Sequence, residues 1–442
     1  MLDSVKELIV HKGFIRYLKS TSWLMAEQLL RIIAGLFVGI WVARYLGPEN
    51  FGILSYALAF TAIFSGVAKL GLDGIIVREL INDPDNRDVY LGTAFWLKII
   101  GAVLVMLFLA IILPLTSNDQ KTNIFVFIIA SGMVFQSFEV IDFYLQSQIL
   151  GKAISICKVI QLSLSSLIKI YLILTGGELI YFIIVTVIDS ITLALSYIFS
   201  YYSITKKHFY NSFSLDVAKR LLKDSWPLML TTFVVMIYMR IDQVMIKLIL
   251  DEYEVGIYSA AVRLAEVFYF IPMLITSSVF PAILAAKKES EELYHQRLLQ
   301  LYTFMIWFSI FIAITMTFLS EWIVVLLYGH EFKATAPVLS LLIWSGVFVF
   351  LGVAFSKYLL VENLPMIAFR RTLLGAILNI ILNMWLIPIY GIFGAAMATL
   401  ISQFVVNYMY DIFDKKVHEQ FYLKNKAIFL PYKAFKKIRR KS

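Results

Sequence analysis

The sequence predicts an all-α integral membrane protein, with about twelve transmembrane helices in two pseudo-symmetric six-helix bundles around a central cavity. Three observations carry that expectation: an apolar composition, a series of span-length apolar runs, and a weak internal duplication. Of the 442 residues, 60% are hydrophobic and 16% charged, and the mean hydropathy is +0.81. Soluble chains run at roughly 45–50% apolar and about 25% charged, so too little polar surface is present to cover a water-facing body of this size. Disorder, a nucleic-acid module and a soluble enzyme on a membrane anchor are all disfavoured.

A hydrocarbon core needs about 20 apolar residues per helix. Runs of that length fall at about 23–43, 51–70, 90–113, 124–146, 153–175 and 179–201, then at 227–250, 255–283, 298–319, 338–360, 366–388 and 393–413. Turn and charge clusters such as Gly47-Pro48-Glu49-Asn50 and Asn82-Asp83-Pro84-Asp85-Asn86 separate them. All are read as helices, because an open sheet edge stays unsatisfied in lipid and barrel strands alternate in polarity. The expected organisation is an interfacial helix over 1–20, bundles over 21–203 and 224–413, a basic linker over 204–223 and a basic tail over 414–442. Residues 1–20 space Leu2, Val5, Leu8, Ile9 and Ile15 among cations and lack a cleavage site, which fits an amphipathic helix rather than a signal peptide.

The net charge of +9 is chiefly a topology signal. Twenty-seven of the 39 Lys and Arg fall in the N-terminus, the tail and alternate connections, three (Arg44, Lys121, Lys333) fall on the opposite side, and nine fall within spans. This asymmetry places both termini in the cytoplasm, in agreement with an even number of spans. Membrane lipids are the expected partner of the tail from Lys433 to Lys441, and nucleic acid is not. The single cysteine, Cys157, excludes an internal disulfide and a cysteine metal cluster.

An offset of about 204 residues aligns Phe51-Gly52-Ile53-Leu54-Ser55-Tyr56-Ala57 with Val255-Gly256-Ile257-Tyr258-Ser259-Ala260-Ala261, each opening a span after an acidic turn. Trp23 and Trp226 precede the first span of each half at nearly the same offset. Parallel repeats are a transporter device in which rocking of the halves alternates access to the site.

The nine span cations are Arg31, Lys69, Lys98, Lys158, Lys169, Arg240, Lys247, Arg263 and Lys357. Each costs roughly 2.5–3.5 kcal/mol at a helix centre, so each needs a partner or a wet cavity. Lys69, Lys247 and Lys357 sit near predicted span ends and can snorkel. Arg31 has Glu27 four residues earlier and Arg263 has Glu266 three residues later, and each is read as a cavity residue with a local partner. Lys158, Gln161, Ser165 and Lys169 recur at i, i+3, i+7 and i+11, giving a polar stripe on the fifth span. Gln136, Glu139, Asp142 and Gln146 on the fourth span, Asp189 on the sixth and Asp242 on the seventh place carboxylates at membrane depth. Cations suit an anionic substrate, phosphate or pyrophosphate above all. Glu139, Asp142, Asp189 and Asp242 suit proton or sodium coupling, with ion pairing as the plainer alternative for each. No cofactor is expected. The histidines lie in loops and tails, and no Walker A, Gly-rich nucleotide loop or G-x-S-x-G occurs.

The stretch Ile32-Ile33-Ala34-Gly35-Leu36-Phe37-Val38-Gly39-Ile40-Trp41-Val42-Ala43-Arg44-Tyr45-Leu46-Gly47-Pro48-Glu49-Asn50-Phe51-Gly52, followed by Leu70-Gly71-Leu72-Asp73-Gly74-Ile75-Ile76-Val77-Arg78-Glu79-Leu80, resembles the opening of polysaccharide or O-antigen repeat-unit flippases. These belong to the multidrug, oligosaccharidyl-lipid and polysaccharide (MOP) exporter superfamily. The late segment with Asn379, Asn383, Pro388 and Tyr390-Gly391-Ile392 extends the resemblance toward the C-terminus. The resemblance implies a bacterial inner-membrane protein moving undecaprenyl-pyrophosphate-linked oligosaccharide by alternating access, with polysaccharide polymerase and glycosyltransferases as neighbours in the process. Arg31 and Arg263 match the cavity arginines of related flippases on spans one and eight. No arginine stands within span two, and Lys158, Lys169 and Arg240 are the substitutes expected to extend the positive track. The competing readings are a cation-coupled multidrug antiporter and an intramembrane glycosyl-transfer enzyme using Asp83 and Asp85.

Overall fold

The computed structural model describes residues 12–439, with side chains described for 15–430. Residues 1–11 of the expected interfacial helix, and the side chains of the run from Lys433 to Lys441, lie outside the described residues. Among the described residues every regular element is helical.

Ten helices among the described residues are long and apolar enough to cross a membrane, and the first and last of them extend over 68 and 49 residues. Each of those two contains a break. Helix α1 (Lys12–Ala68) is interrupted at Gly47, where φ is 71° and ψ 170°, a conformation that glycine adopts without steric cost. Pro48 then occupies the first turn of the second arm, where its missing N–H is tolerated. The last long helix breaks the same way at Gly391 (φ 59°, ψ −142°). Ten helices with a break in each of two give the twelve apolar segments expected from the sequence.

The chain divides into two compact units, Met1–Leu46 with Ile53–Met236, and Gly47–Gly52 with Ile237–Ser442. The first contains most of α1, then α2 (Asp73–Asn82), α3 (Arg87–Ile112), α4 (Gln120–Phe135), α5 (Val140–Ser147), α6 (Gly151–Thr175), α7 (Leu179–Thr205) and the opening of α8 (Leu215–Ile249). The second contains the end of α8, then α9 (Glu252–Phe268), α10 (Phe270–Glu289), α11 (Glu291–Tyr328), α12 (Thr335–Val361), α13 (Pro365–Phe404), the short α14 (Tyr410–Phe413) and α15 (His418–Arg439). Asp119, Asp251 and Ser290 accept hydrogen bonds from the amides of Thr122, Glu254 and Leu293, capping α4, α9 and α11. Helix α6 ends on Gly176 in the left-handed conformation.

The core of the first unit gathers Leu72, Ile76, Leu91, Val140, Ile141 and Leu145. That of the second gathers Leu298, Met305, Phe350 and Phe355 together with Val417 and Ala427, which follow the last span. Large exposed apolar side chains form stripes such as Trp96, Ile100, Leu104, Leu107 and Ile111 on α3. In a membrane chain these are lipid-facing surface.

Two corrections concern cations that the loop arithmetic assigns to the membrane exterior. Arg371 is 4% exposed within α13, donating to the Val406 carbonyl and the Asn407 side chain, with Phe355 under its guanidinium at 4.3 Å. Lys424 is fully buried on α15, paired with Asp411 and bonded to the Asn407 carbonyl at 2.9 Å. The π-helical turn Val405–Met409 supplies these backbone acceptors. Counting charges along a sequence registers a cation after the last span as solvated, and it does not see a helix folding back.

The glycines of the duplicated motif have a packing role inside the second unit. A Cβ on Gly52 would stand 1.8 Å from the Glu252 carbonyl oxygen, and one on Gly256 would stand 1.9 Å from the Pro48 carbonyl oxygen. Because the obstacle is backbone on both sides, neither site can give way. Gly256→Ala is therefore expected to destabilise the protein by more than about 2 kcal/mol. Gly74→Ala on α2, where nothing lies within 4 Å, should be neutral or gain up to about 1 kcal/mol. Thermal unfolding of the two purified variants in one detergent checks the contrast, and equal melting temperatures would contradict it.

Candidate functional site

In the first unit a 3-10 turn, Gln136–Glu139, interrupts the fourth span between α4 and α5. Glu139 thereby becomes a shared acceptor, taking Lys69 Nζ at 3.2 Å and Lys98 Nζ at 3.0 Å. Lys98 is 2% exposed, and among the described residues its compensation for leaving water is this carboxylate and the Phe143 ring at 5.0 Å. One turn on, Asp142 pairs with Lys158 of α6 at 3.5 Å, while its other oxygen is buried without a hydrogen-bond partner.

The polar stripe of α6 meets a partner at each of its positions. Gln161 accepts from Arg31 at 3.3 Å, Ser165 donates to Asp189 at 2.9 Å, and Lys169 reaches the same Asp189 at 3.4 Å. Arg31 also bonds Glu27 at 2.7 Å, the same-face pair read from the sequence. Beside these groups lie two cavities. One of about 470 Å³ is bordered by Lys69, Asp73, Glu139, Asp142, Gln146 and Lys158. A smaller one of about 130 Å³ has Glu139, Gln136, Gln161 and Asp189 in its wall.

The second unit is built differently. Asp242, on α8, is 8% exposed and accepts hydrogen bonds from Asn383 (2.6 Å), Thr399 (2.6 Å) and Tyr258 (2.7 Å). No cation pairs with it among the described residues. Asn379 and Asn383, one helical turn apart on α13, bond each other at 3.2 Å and leave Asn379 Nδ2 and Asn383 Oδ1 buried without partners. Arg240 takes Glu266 at 3.2 Å. Glu266 is therefore shared: α8 brings the Arg240 guanidinium into ion-pair distance of it, while the same carboxylate acts on Arg263 from beyond that distance. Arg263 lies over the Phe51 ring at 5.2 Å.

Of the nine span cations, seven therefore carry a carboxylate: Arg31, Lys69, Lys98, Lys158, Lys169, Arg240 and Lys247, the last with Glu252. Arg263 and Lys357 make no ion pair among the described residues: Arg263 lies over Phe51 with Glu266 acting on it from a distance, and Lys357 lies over Phe280 at 5.5 Å. Sequence reasoning missed the acceptor set around Asp242, although the Asn379 and Asn383 spacing on an apolar span was its visible signal. It also missed the Arg371 and Lys424 cluster, for which the sequence offers no local signal. The Asp83-Pro84-Asp85 motif is a turn: Asn86 and Tyr90 donate to Asp83 at 2.8 and 3.0 Å, and those bonds hold its carboxyl below the usual range.

The family described as "Polysaccharide biosynthesis protein" matches residues 17–287, more than half of the chain. The chain belongs to that family. The family described as "MatE" matches residues 227–385. The capsular polysaccharide biosynthesis protein CapF of Staphylococcus aureus is 22% identical over 90% of this chain and 99% of its own. The probable low-salt glycan biosynthesis flippase Agl15 of Haloferax volcanii is 26% identical over 85% of this chain and 78% of its own. Among solved structures, the lipid II flippase MurJ in an inward closed conformation superposes with a TM-score of 0.71 at 20% identity, covering 94% of this chain and 92% of that one; this likeness concerns the fold. The protein is thus a multi-pass membrane protein of the polysaccharide biosynthesis family. Within the polysaccharide biosynthesis family, it sets a double-lysine carboxylate in one unit and a cation-free aspartate with an unpaired arginine in the other.

Replacing the shared acceptor tests the balance in the first unit. Glu139→Gln leaves Lys98 buried without a counter-charge and is expected to cost about 3–5 kcal/mol. Adding Lys98→Met should restore most of that loss. Unfolding of the two variants and the wild type in detergent measures the coupling, and a strictly additive result would refute it.

Proposed function

We propose that this protein flips an undecaprenyl-pyrophosphate-linked oligosaccharide from the inner to the outer leaflet of the bacterial cytoplasmic membrane, for surface polysaccharide such as O-antigen. Both termini face the cytoplasm in this reading, as the loop charges indicate. The observation that carries it is Arg263, a span guanidinium that makes no ion pair among the described residues, the Glu266 carboxylate near it being paired with Arg240. A pyrophosphate supplies the missing anion, and the fork of the guanidinium matches its oxygens. Arg31 spends one N–H on Glu27 and one on Gln161, leaving three of its five donors for a second contact. Lys158, Lys169 and Arg240 are held by carboxylates, so their role is to keep the interior wet and the helices in register. The names of the glycan-related relatives support a lipid-linked saccharide as cargo.

The same comparison narrows the ion-coupling candidates. Glu139, Asp142 and Asp189 each face a lysine, whereas Asp242 faces only neutral donors. Asp242 is the carboxylate that can take up a proton or sodium without displacing a resident cation. Multidrug antiport, which the MatE match keeps in view, calls for a free carboxylate toward a cationic drug. The free group beside Phe51 is instead an arginine.

Arg263→Ala is expected to abolish complementation of a strain lacking its own repeat-unit flippase, at unchanged expression, and Arg263→Lys to recover only part of it. Arg31→Ala should lower surface polysaccharide less than Arg263→Ala does. Normal polysaccharide in both alanine variants would overturn the assignment. Asp242→Asn should keep cargo binding and remove the dependence of transport on pH or sodium, read in proteoliposomes with an imposed gradient.

A further inference from the structure

An apolar cavity of about 670 Å³ lies in the first unit, apart from the polar groups described above. Its inner wall is a run of rings in contact: Phe138 with Phe95 at 4.9 Å, Phe95 with Phe209 at 5.6 Å, and Phe209 with Tyr201 at 5.3 Å. Its lip is exposed and belongs to two lipid-facing stripes, Trp96 on α3 and Ile198 with Tyr202 on α7. Hydrocarbon therefore has a continuous apolar route from the bilayer to the ring-lined wall. Beside this lip the loop after α7 places exposed Lys207 and His208 at the cavity border, the imidazole stacked on Tyr202 at 5.8 Å.

The loop is fixed in place rather than draped. Trp96 Nε1 donates to the Tyr210 carbonyl at 2.9 Å, and Thr93 Oγ1 accepts from the Ser214 amide at 3.1 Å. The loop backbone also sits directly on Gly92 of α3, where a Cβ would stand 2.2 Å from the Ser212 carbonyl oxygen and 2.4 Å from that of Phe209. A glycine at this point of α3 lets the cationic border approach the aromatic wall. The volume is within the range of small-ligand sites, roughly 300–1,000 Å³.

We infer that this cavity binds the phosphate-proximal part of a polyprenyl phosphate lipid, with isoprene units against the Phe95, Phe138 and Phe209 rings and the anionic head at Lys207. The commitment to this occupant rests on charge complementarity: an apolar slot open to lipid and ending in an ammonium fits a long hydrocarbon that terminates in phosphate. Branched isoprene also fills a ring-walled slot more fully than a linear chain, and dispersion rewards close filling. The choice of a prenyl over an acyl lipid rests on the flippase reading above. The site is a docking place on the first unit separate from the arginine proposed for the pyrophosphate, and one lipid head occupies Lys207 or Arg263, not both at once.

The test uses the full-length protein in nanodiscs and undecaprenyl phosphate as probe, with phosphatidylglycerol as competitor. Lys207→Glu reverses the border charge and Ile198→Trp fills the lip, and both positions are exposed enough to leave folding intact. Each is expected to weaken undecaprenyl phosphate binding at least tenfold, with an unchanged thermal midpoint in the absence of lipid. A photoreactive prenyl phosphate should label the segments around Trp96 and 198–210 in the wild type, which tests the site even if a variant misfolds. Binding and labelling that ignore both variants overturn the inference and leave the flippase reading standing. Equal displacement by phosphatidylglycerol overturns the prenyl assignment, making the slot an ordinary lipid site. A wild type that does not bind undecaprenyl phosphate at all, and fails to complement, removes the flippase reading and this inference with it.

Discussion

A charge inside hydrocarbon has to bring its own solvent, and most of the interior of this protein follows from that requirement. Lipid offers neither hydrogen bonds nor counter-ions, so each lysine or arginine on a span is placed where another helix supplies a carboxylate, an amide or a ring. The fourth span shows how far the backbone bends to comply. Its helix is interrupted over Gln136–Glu139, and Glu139 settles between Lys69 and Lys98. Pairs of this kind are weak evidence of stability, because desolvation consumes much of the attraction. Their effect is to specify which helices face one another.

The departures from regular helix fall where the chain reverses or where side chains need re-aiming. Gly47 and Gly391 allow two span pairs to be written as continuous helices with one left-handed residue each. The π-turn after α13 exposes carbonyls that Arg371 and Lys424 then occupy. Against this background the unpaired guanidinium of Arg263 stands out, because the fold satisfies comparable groups nearly everywhere else.

Much of the architecture was legible in the sequence, because the bilayer imposes a length and a polarity on each span. The twelve apolar runs, the glycine-containing turns and the same-face pair of Arg31 with Glu27 follow from spacing alone. The partners of Lys98, Arg240 and Arg263 did not, since spacing within one helix says nothing about which helix arrives opposite. The Glu266 carboxylate is the clearest instance: it lies at the right distance from Arg263 along the chain and is occupied by Arg240 from α8. Charge counting likewise carries no information on burial: Arg371 and Lys424 count toward the cytoplasmic side by sequence, and the fold buries both in the core of the second unit.

The burial of Lys424 also bears on how the protein is made. Synthesis proceeds from the N-terminus, and domains fold as units as the chain emerges. Asp411 and Asn407 belong to the last span, and the residue that neutralises and bonds them follows 13 and 17 residues later in the chain. The second unit is therefore completed only when α15 folds back, bringing Lys424 to a carboxylate and a backbone carbonyl and Gln420 to the Tyr302 hydroxyl. A chain ending after Phe413 would leave Asp411, the Asn407 carbonyl and the Tyr302 hydroxyl without these partners at the edge of the last span.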